Sequence, residues 1–161
     1  MNHLTERVAG LSCVAARSCG GCTECCTALA VKSLDKPDGV KCVHLVADGC
    51  GIYANRPDDC RAFMCLWLTR ESTTDRDRPD RCGVVLSATS PKEPVNQALQ
   101  VLTVLAVESR PGAIGSYHGE RVLKAASQRM LLNVARCDGT RTWRGPARWM
   151  RALSRVQIGR G

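Results

Sequence analysis

Residues 19–26 read Cys19-Gly20-Gly21-Cys22-Thr23-Glu24-Cys25-Cys26, and this stretch decides how the first part of the chain folds. A gap of two residues between cysteines lets the backbone turn tightly, so that both thiolates reach one metal ion. Two adjacent cysteines do not readily bind the same ion. Their side chains point to opposite faces of an extended chain and diverge by about 100° on a helix. The stretch therefore predicts metal ligands, with its last two cysteines serving two neighbouring centres.

Closely spaced cysteines continue as far as residue 65. The chain has eleven cysteines among 161 residues, and nine of them lie at or before position 65. The candidate ligands are Cys19, Cys22, Cys25, Cys26, Cys42, Cys50, Cys60 and Cys65, with His44 as a further candidate. Zinc takes four ligands in a tetrahedron at about 2.3 Å, and these candidates exceed one such site. Two zinc ions are therefore predicted, and an iron–sulfur cluster with extra thiols is the alternative.

The residues around the candidate ligands suit a buried metal centre. A divalent ion with four thiolates carries a charge of about −2, which needs compensating donors. Three cations lie among the ligands and are the predicted donors, namely Lys41, Arg56 and Arg61. Three aromatic residues in the same segment are predicted to form an apolar shell, namely Tyr53, Phe63 and Trp67.

The chain divides into a cysteine-rich part and a more regular part. We predict an α+β fold, in which an irregular cysteine-rich metal-binding module is followed by a small α/β unit with a C-terminal hairpin and helix. The predicted divisions are an N-terminal segment at 1–18, the cysteine module at 19–69, a polar connector at 70–81 and the α/β portion at 82–161.

Local patterns predict the individual elements. In the module, residues 57–69 would direct Cys60 and Cys65 to different faces if they were helical. Apolar periodicity, capping residues and turn residues define the elements of the α/β portion. These are a strand at 84–86, a helix over 90–109 that starts from a Ser90–Glu93 capping box, a helix over 120–129, strands at 130–136 and 140–144 joined through Asp138-Gly139, and a last helix from Pro146.

Location decides whether the cysteines form disulfides or bind metal. Residues 8–16 are too short and too polar for a secretory signal, and the longest apolar run, 98–107, falls far short of the ~20 residues of a membrane helix. We therefore predict a soluble, cytoplasmic protein without membrane contact, in which closely spaced cysteines stay reduced and bind metal. A disulfide framework is the alternative, although a chain of 161 residues can hold its core without one.

The cysteine module resembles the YkgJ-type cysteine-cluster family, also called CxxCxxCC. The similar segments are residues 19–26, Cys42-Val43-His44-Leu45, Gly49-Cys50-Gly51-Ile52-Tyr53, Arg56-Pro57, Cys60-Arg61-Ala62-Phe63 and Cys65-Leu66-Trp67. The resemblance covers residues 19–67 and implies a zinc- or iron-chelating domain in which the eight candidate cysteines hold the metal. It implies no particular biochemical role.

Metal binding without catalysis is the predicted function. The sequence has no glycine-rich phosphate loop, no His-Glu-x-x-His and no nucleophile with an evident base, and His118 is only an isolated candidate. An iron–sulfur-dependent enzyme is therefore a less favoured alternative. The remaining cysteines, Cys13, Cys82 and Cys137, are predicted to be ordinary small apolar residues.

The end of the chain suggests another alternative, a basic zinc protein that binds nucleic acid. The formal net charge is +8, although eight bound thiolates and two divalent ions would lower it to about +4. Residues 136–161 hold seven arginines against one acid, with Trp143 and Trp149 available for stacking. A solvated helix face is the simpler interpretation of these arginines. Nucleic acid therefore ranks below the metal ion as a predicted partner, and the sequence identifies no protein partner.

Overall fold

The structure, a computed structural model, describes residues 17–69 and 73–156. Cys13 and most of the predicted N-terminal segment 1–18 lie outside the described residues, as do residues 70–72 of the predicted connector. The described chain combines helices with a two-stranded and a four-stranded sheet, which confirms the predicted α+β class.

The cysteine module consists of short elements separated by turns. None of its described α-helices is longer than five residues, and single-turn 3₁₀ helices occur at Lys32–Leu34 and Tyr53–Asn55. The other elements are α1 (Glu24–Ala28), β1 (Leu45–Val46), β2 (Gly49–Cys50), α2 (Asp58–Ala62) and α3 (Leu66–Thr69). Helices this short have little stability of their own, so contacts with neighbouring segments must hold them.

A break at Phe63 separates the last two helices of the module. Phe63 has extended backbone angles, φ −74° and ψ 127°, so the helix considered over 57–69 is interrupted. Cys60 lies on α2, whereas Cys65 lies just before α3 and is 8% exposed. The two cysteines therefore belong to different elements.

The α/β portion is built on one mixed four-stranded sheet. The elements from residue 79 onward are α4 (Pro79–Cys82), β3 (Val84–Ala88), α5 (Pro94–Leu99), β4 (Val104–Glu108), α6 (Tyr117–Ser127), β5 (Leu132–Ala135), β6 (Arg141–Arg144) and α7 (Ala147–Leu153). The strand order is β3-β4-β5-β6, with β4 and β5 parallel and the other pairs antiparallel. A parallel pair needs a crossover connection, and α6 lies in this one.

The long helix predicted over 90–109 is wrong. The observed helix α5 begins at Pro94 rather than at the Ser90–Glu93 capping box, and it ends where Gln100 adopts a left-handed conformation at φ 52°. The chain then enters β4, whose residues alternate between more and less buried positions. The apolar run at 98–107 contains several β-branched residues, which favour a strand between two neighbouring strands. A short apolar run does not by itself distinguish a strand from a buried helix.

The other predicted elements of the α/β portion are confirmed. The strand at 84–86 extends to Ala88, and the helix predicted over 120–129 is α6. That helix starts earlier than predicted because Ser116 caps it, its Oγ accepting the Gly119 N–H at 3.1 Å. The Asp138-Gly139 turn joins β5 to β6, and Pro146 immediately precedes α7.

Two clusters of buried side chains hold the molecule together. The first lies between the sheet and α6 and includes Cys82, which is 1% exposed and thus an ordinary core residue, as predicted. The second cluster joins the module to the opposite face of the sheet, because Val85 points away from its neighbours Val84 and Leu86. Its members are Ala28, Cys65, Trp67, Leu68 and Val85, with Cys25, Leu29, Phe63 and Val107 packed against them.

A buried carboxylate ties the end of β4 to two loops. Glu108 is 5% exposed, and it accepts the backbone N–H of Ile114 at 3.0 Å and of Cys137 at 2.9 Å. Burial raises the pKa of Glu108, but these N–H donors outweigh it and leave the pKa below its usual value. Cys137, predicted to be an ordinary apolar residue, is instead exposed, and its thiol contacts the Glu108 backbone oxygen at 3.4 Å.

Replacing Glu108 by Gln should lower the free energy of unfolding at pH 7 by about 1–3 kcal/mol, because an amide N–H would then face one of the two backbone N–H groups. The lowered pKa means that the carboxylate stabilises the fold fully above its unfolded value of about 4.3, and that this contribution is lost as the pH falls through the folded value. Urea unfolding at pH 7 and at about pH 3 should therefore show a smaller difference between variant and wild type in acid. The exposed Glu93→Gln control should differ little from wild type at either pH. A Glu108→Gln difference that grows in acid would contradict the assignment.

Candidate metal centre

The module begins with a tight turn around its first two cysteines. The Cys22 N–H donates to the Cys19 carbonyl oxygen at 2.9 Å, so the two-residue gap brings these residues together as predicted. Gly20 lies inside the turn at φ +53°, a left-handed conformation that glycine adopts without strain. Cys19 is exposed and Cys22 is partly buried.

Helix α1 carries the adjacent Cys25 and Cys26 into different surroundings. Cys25 packs against the buried cluster that contains Cys65 and Ala28. The backbone oxygen of Cys26 accepts the Cys42 N–H at 3.0 Å, which brings the segment around Cys42 to the side of α1. Neighbouring cysteines thus contact different parts of the module.

A short hairpin gathers the middle cysteines. The Leu45 N–H donates to the Cys42 carbonyl oxygen at 3.1 Å, and Leu45 pairs with Cys50 across β1 and β2. The Gly51 N–H donates to the His44 carbonyl oxygen at 2.8 Å. Cys42, His44 and Cys50 therefore lie around the same hairpin, and His44 as a ligand stays a prediction.

One set of cysteines lies near Cys65. Burial, together with nearby charges on Cys19 and Cys22, raises the pKa of Cys65 to about 11. Charges on the same two residues also raise the pKa of Cys25, which packs beside Cys65. We call Cys19, Cys22, Cys25 and Cys65 the first cysteine set.

A second set of cysteines is electrostatically coupled to Cys60. Burial raises the pKa of Cys60, and charges on Cys26, Cys42 and Cys50 raise it further. The backbone contacts of Cys42 with Cys26 and of Leu45 with Cys50 bring the same residues together. We call Cys26, Cys42, Cys50 and Cys60 the second cysteine set.

The two sets meet at the adjacent Cys25 and Cys26 of α1. The interaction with the Cys26 side chain, together with burial, raises the pKa of Cys25 well above its usual value. The same interaction lowers the pKa of Cys26 to about 6, because the Cys25 thiol stabilises the neighbouring thiolate, and the charge of Lys36 acts in the same direction. Cys26 is therefore favoured as a thiolate, the form that binds metal.

Lys36 is a cation of the module that the sequence did not reveal. It is only 7% exposed, and its Nζ donates to the carbonyl oxygens of Leu29 at 2.5 Å and Pro37 at 3.1 Å. Burial lowers its pKa, while charges on Cys42 and Cys26 act in the opposite direction. No local feature of the sequence distinguishes Lys36 from Lys41. Lys41 was predicted to compensate the charge of the thiolates, and it is exposed.

Arg56 lies close to both cysteine sets. Its guanidinium stacks over the Tyr53 ring at 3.8 Å. A hydrogen bond to Tyr53 raises the pKa of Arg56, and charges on Cys19 and Cys60, one from each set, contribute to this rise. The Nε of Arg56 is buried and has no hydrogen-bond partner among the described residues. Arg61, the third predicted donor, instead donates to the carbonyl oxygens of Ala54 and Arg56.

Two of the three aromatic residues of the predicted apolar shell pack near a candidate ligand. Trp67 is 6% exposed, and Phe63 packs with it in the cluster around Cys65. Tyr53 is 60% exposed and contacts Arg56 instead, so its predicted place in the shell is wrong. The guanidinium of Arg17 covers Trp67, 5.2 Å from the ring centroid.

The thiols are neighbours but are not arranged as a completed site. Within residues 17–69 and 73–156, no group of three or more His, Cys, Asp or Glu side chains has the geometry to hold a metal ion. No disulfide joins any two of the eight cysteines of these sets, so the disulfide alternative finds no support among them. His118 lies on α6, exposed beside Tyr117, and outside the module.

Comparisons with known proteins do not identify a relative. None of the family models, curated proteins or solved structures compared with the chain matches it. The resemblance to YkgJ-type proteins therefore stays a prediction that depends on the segments quoted above. Among the described helices, none combines the length and the apolar character needed to cross a membrane.

Replacing Lys36 by Met should loosen the segment between α1 and the hairpin. Met has an unbranched side chain of similar length to that of Lys, but it cannot donate the hydrogen bonds to Leu29 and Pro37. We expect backbone amides of residues 29–38 in the reduced, metal-free chain to exchange with deuterium at least about 10-fold faster. The exposed Lys41→Met substitution is the matched control and should leave exchange unchanged. Equal exchange in both variants would mean that Lys36 does not hold this segment.

Proposed function

We propose that the chain binds two zinc ions, one held by each cysteine set. The observation that supports this most directly is that the adjacent Cys25 and Cys26 contact different cysteine-bearing segments. Cys25 packs beside Cys65, whereas the Cys26 backbone oxygen accepts the Cys42 N–H. Four thiolates complete a tetrahedral zinc site and leave no position open for water or substrate. The proposed role is therefore structural or metal-handling rather than catalytic.

The donors suit zinc, although each set must close around the ion. Thiolates are soft ligands that zinc accepts in fours, and none of the proposed ligands is a carboxylate. The segments that carry them are turns and short helices, which can shift at lower cost than a packed core. Zinc would draw each set together, so binding would order the module at the same time.

Nearby cations support the proposal, because each four-thiolate zinc site carries a charge of about −2. Lys36 lies beside the second set, and Arg78, which pairs with Asp80 at 2.7 Å, lies beside Cys22 of the first. Arg56 is near both sets, and its unpartnered Nε is suited to donate to a metal-bound sulfur.

An iron–sulfur cluster is the second candidate, because cysteines at two-residue gaps begin the module. The direct adjacency of Cys25 and Cys26 departs from ferredoxin spacing, and two sets of four thiols favour two separate ions. We also propose a cytoplasmic location, where reducing conditions would keep the thiols available. The resemblance to YkgJ-type proteins supports metal binding by the same residues and adds no catalytic role.

Protein purified without oxygen should be colourless and should contain about two zinc ions per chain by elemental analysis. A brown preparation with iron and inorganic sulfide would replace zinc by an iron–sulfur cluster. A folded chain that contains neither metal, and that gains none when zinc is added under reducing conditions, would reject the proposal.

Paired substitutions test how the eight ligands divide. Cys19→Ser with Cys22→Ser alters only the first set, so about one zinc ion per chain should remain. Cys19→Ser with Cys50→Ser alters one ligand in each set, so zinc should be lost from both under chelator competition. Zinc content after dialysis against a fixed chelator concentration measures the difference.

The exposed Cys137→Ser variant is the control and should keep wild-type zinc content, since this residue belongs to neither set. Equal zinc content in the two double variants would show that the eight thiols do not divide as proposed.

A further inference from the structure

The last helix carries a line of exposed arginines. Arg148 and Arg151 lie on α7, and Arg155 lies in the turn that continues it, where its N–H donates to the Ala152 oxygen at 3.0 Å. Spacings of three and four residues place the three side chains on one face of a helix. All three are exposed, whereas Leu153 on the same helix is buried. We call Arg148, Arg151 and Arg155 the arginine stripe.

The stripe is not neutralised, whereas three other arginines that contact the α/β portion's helices and loops pair with acids. Arg144 pairs with Glu120 at 2.7 Å, Arg110 lies 3.7 Å from Glu24, and Arg121 pairs with Asp77. No member of the stripe forms an ion pair with any residue in the described ranges. The Arg148 guanidinium lies over the Trp149 ring, 5.3 Å from its centroid.

The neighbourhood adds positive charge and almost no negative charge. Residues 136–156 contain six arginines and one acid, Asp138. That carboxylate accepts hydrogen bonds from the Thr140 N–H at 2.8 Å and hydroxyl at 2.6 Å, within the hairpin turn. The stretch that contains the stripe therefore carries an excess of positive charge, which attracts polyanions.

We propose that the arginine stripe binds the phosphate backbone of a nucleic acid. With a rise of 1.5 Å per residue, residues 148–155 span about 10 Å, which matches about three phosphates of one strand at 3.4 Å each along the duplex axis. Guanidinium groups present flat, forked donors that fit phosphate oxygens. Contacts of this kind position a protein on nucleic acid without reading its sequence.

The surface fits nucleic acid better than a lipid membrane. A helix that lies in a membrane interface inserts large apolar side chains between its cations. Among the described residues, the exposed large hydrophobic side chains are at positions 40, 43, 46, 53, 64, 102 and 117, so none belongs to residues 136–156. Trp149 and Met150 are partly buried, and Trp149 already contacts Arg148, which leaves the face polar.

The test uses the full chain with its metal content unchanged and measures binding to a labelled oligonucleotide over a series of salt concentrations. Replacing all three stripe residues by Glu should lower the affinity at least about 10-fold and reduce the salt slope by about 2 to 3. Arg151→Gln with Arg155→Gln is a milder variant that keeps the Arg148–Trp149 contact, and it should reduce the slope by about 1 to 2.

The matched control makes the same charge change at Arg76, Lys124 and Arg129, which are exposed and lie outside the stripe. It should retain most of the affinity and most of the salt slope. Equal losses in the control and the stripe variants would overturn the proposal, because net charge alone would then explain binding. The proposal would also be overturned by wild-type protein that ignores the oligonucleotide, or that prefers phosphatidylglycerol vesicles or polyglutamate of equal charge.

Discussion

Cys65, Trp67 and Leu68 are packed against Val85 of the four-stranded sheet, and the arrangement of the cysteine module depends on this contact. The module has no described helix longer than five residues, so its own elements cannot supply a core. Burying an aromatic and a leucine side chain against the sheet contributes roughly 1.5–3 kcal/mol for each, which is large compared with the stability of such short helices. Cys25 packs against the same cluster, so the side of α1 that carries Cys25 is held against Cys65 and its neighbours.

This anchoring supports the two cysteine sets unequally. The first set includes Cys65, which is 8% exposed, and Cys25, which packs beside it. The second set is assembled from α1, the β1–β2 hairpin and α2. The Cys42 N–H joins the hairpin segment to α1, and the Ser33 N–H donates to the Asp59 carboxylate of α2 at 3.1 Å. Burial already fixes the surroundings of Cys65 in the first set. Under the proposed binding, zinc would fix the geometry of the second set. The adjacent Cys25 and Cys26 of α1 then lie where a more rigid and a less rigid site would meet.

Spacing was most informative where the structure is determined locally. The Cys19–Cys22 turn and the Asp138-Gly139 hairpin both depend on residues close in sequence, and both could be predicted. The helix over 90–109 was wrong because β4 is a strand only through pairing with β3 and β5, which a local apolar pattern does not encode. Lys36 was missed for the same reason, since its burial depends on how the chain folds back after α1. Arg56 was among the predicted donors, but the sequence could not show that its Nε would be buried without a hydrogen-bond partner among the described residues.

The positively charged residues of the chain lie in two different surroundings. Arg17, Lys36, Arg56 and Arg78 lie within the module or against Trp67, where thiolate charge would offset them once metal is bound. The arginine stripe lies on α7, and no described acid pairs with it. Metal binding would therefore reduce the net charge of +8 mainly in the module and leave the field of the stripe intact. The arginine stripe would therefore present positive charge to an anionic partner on one side of the protein, whether or not the cysteines held metal.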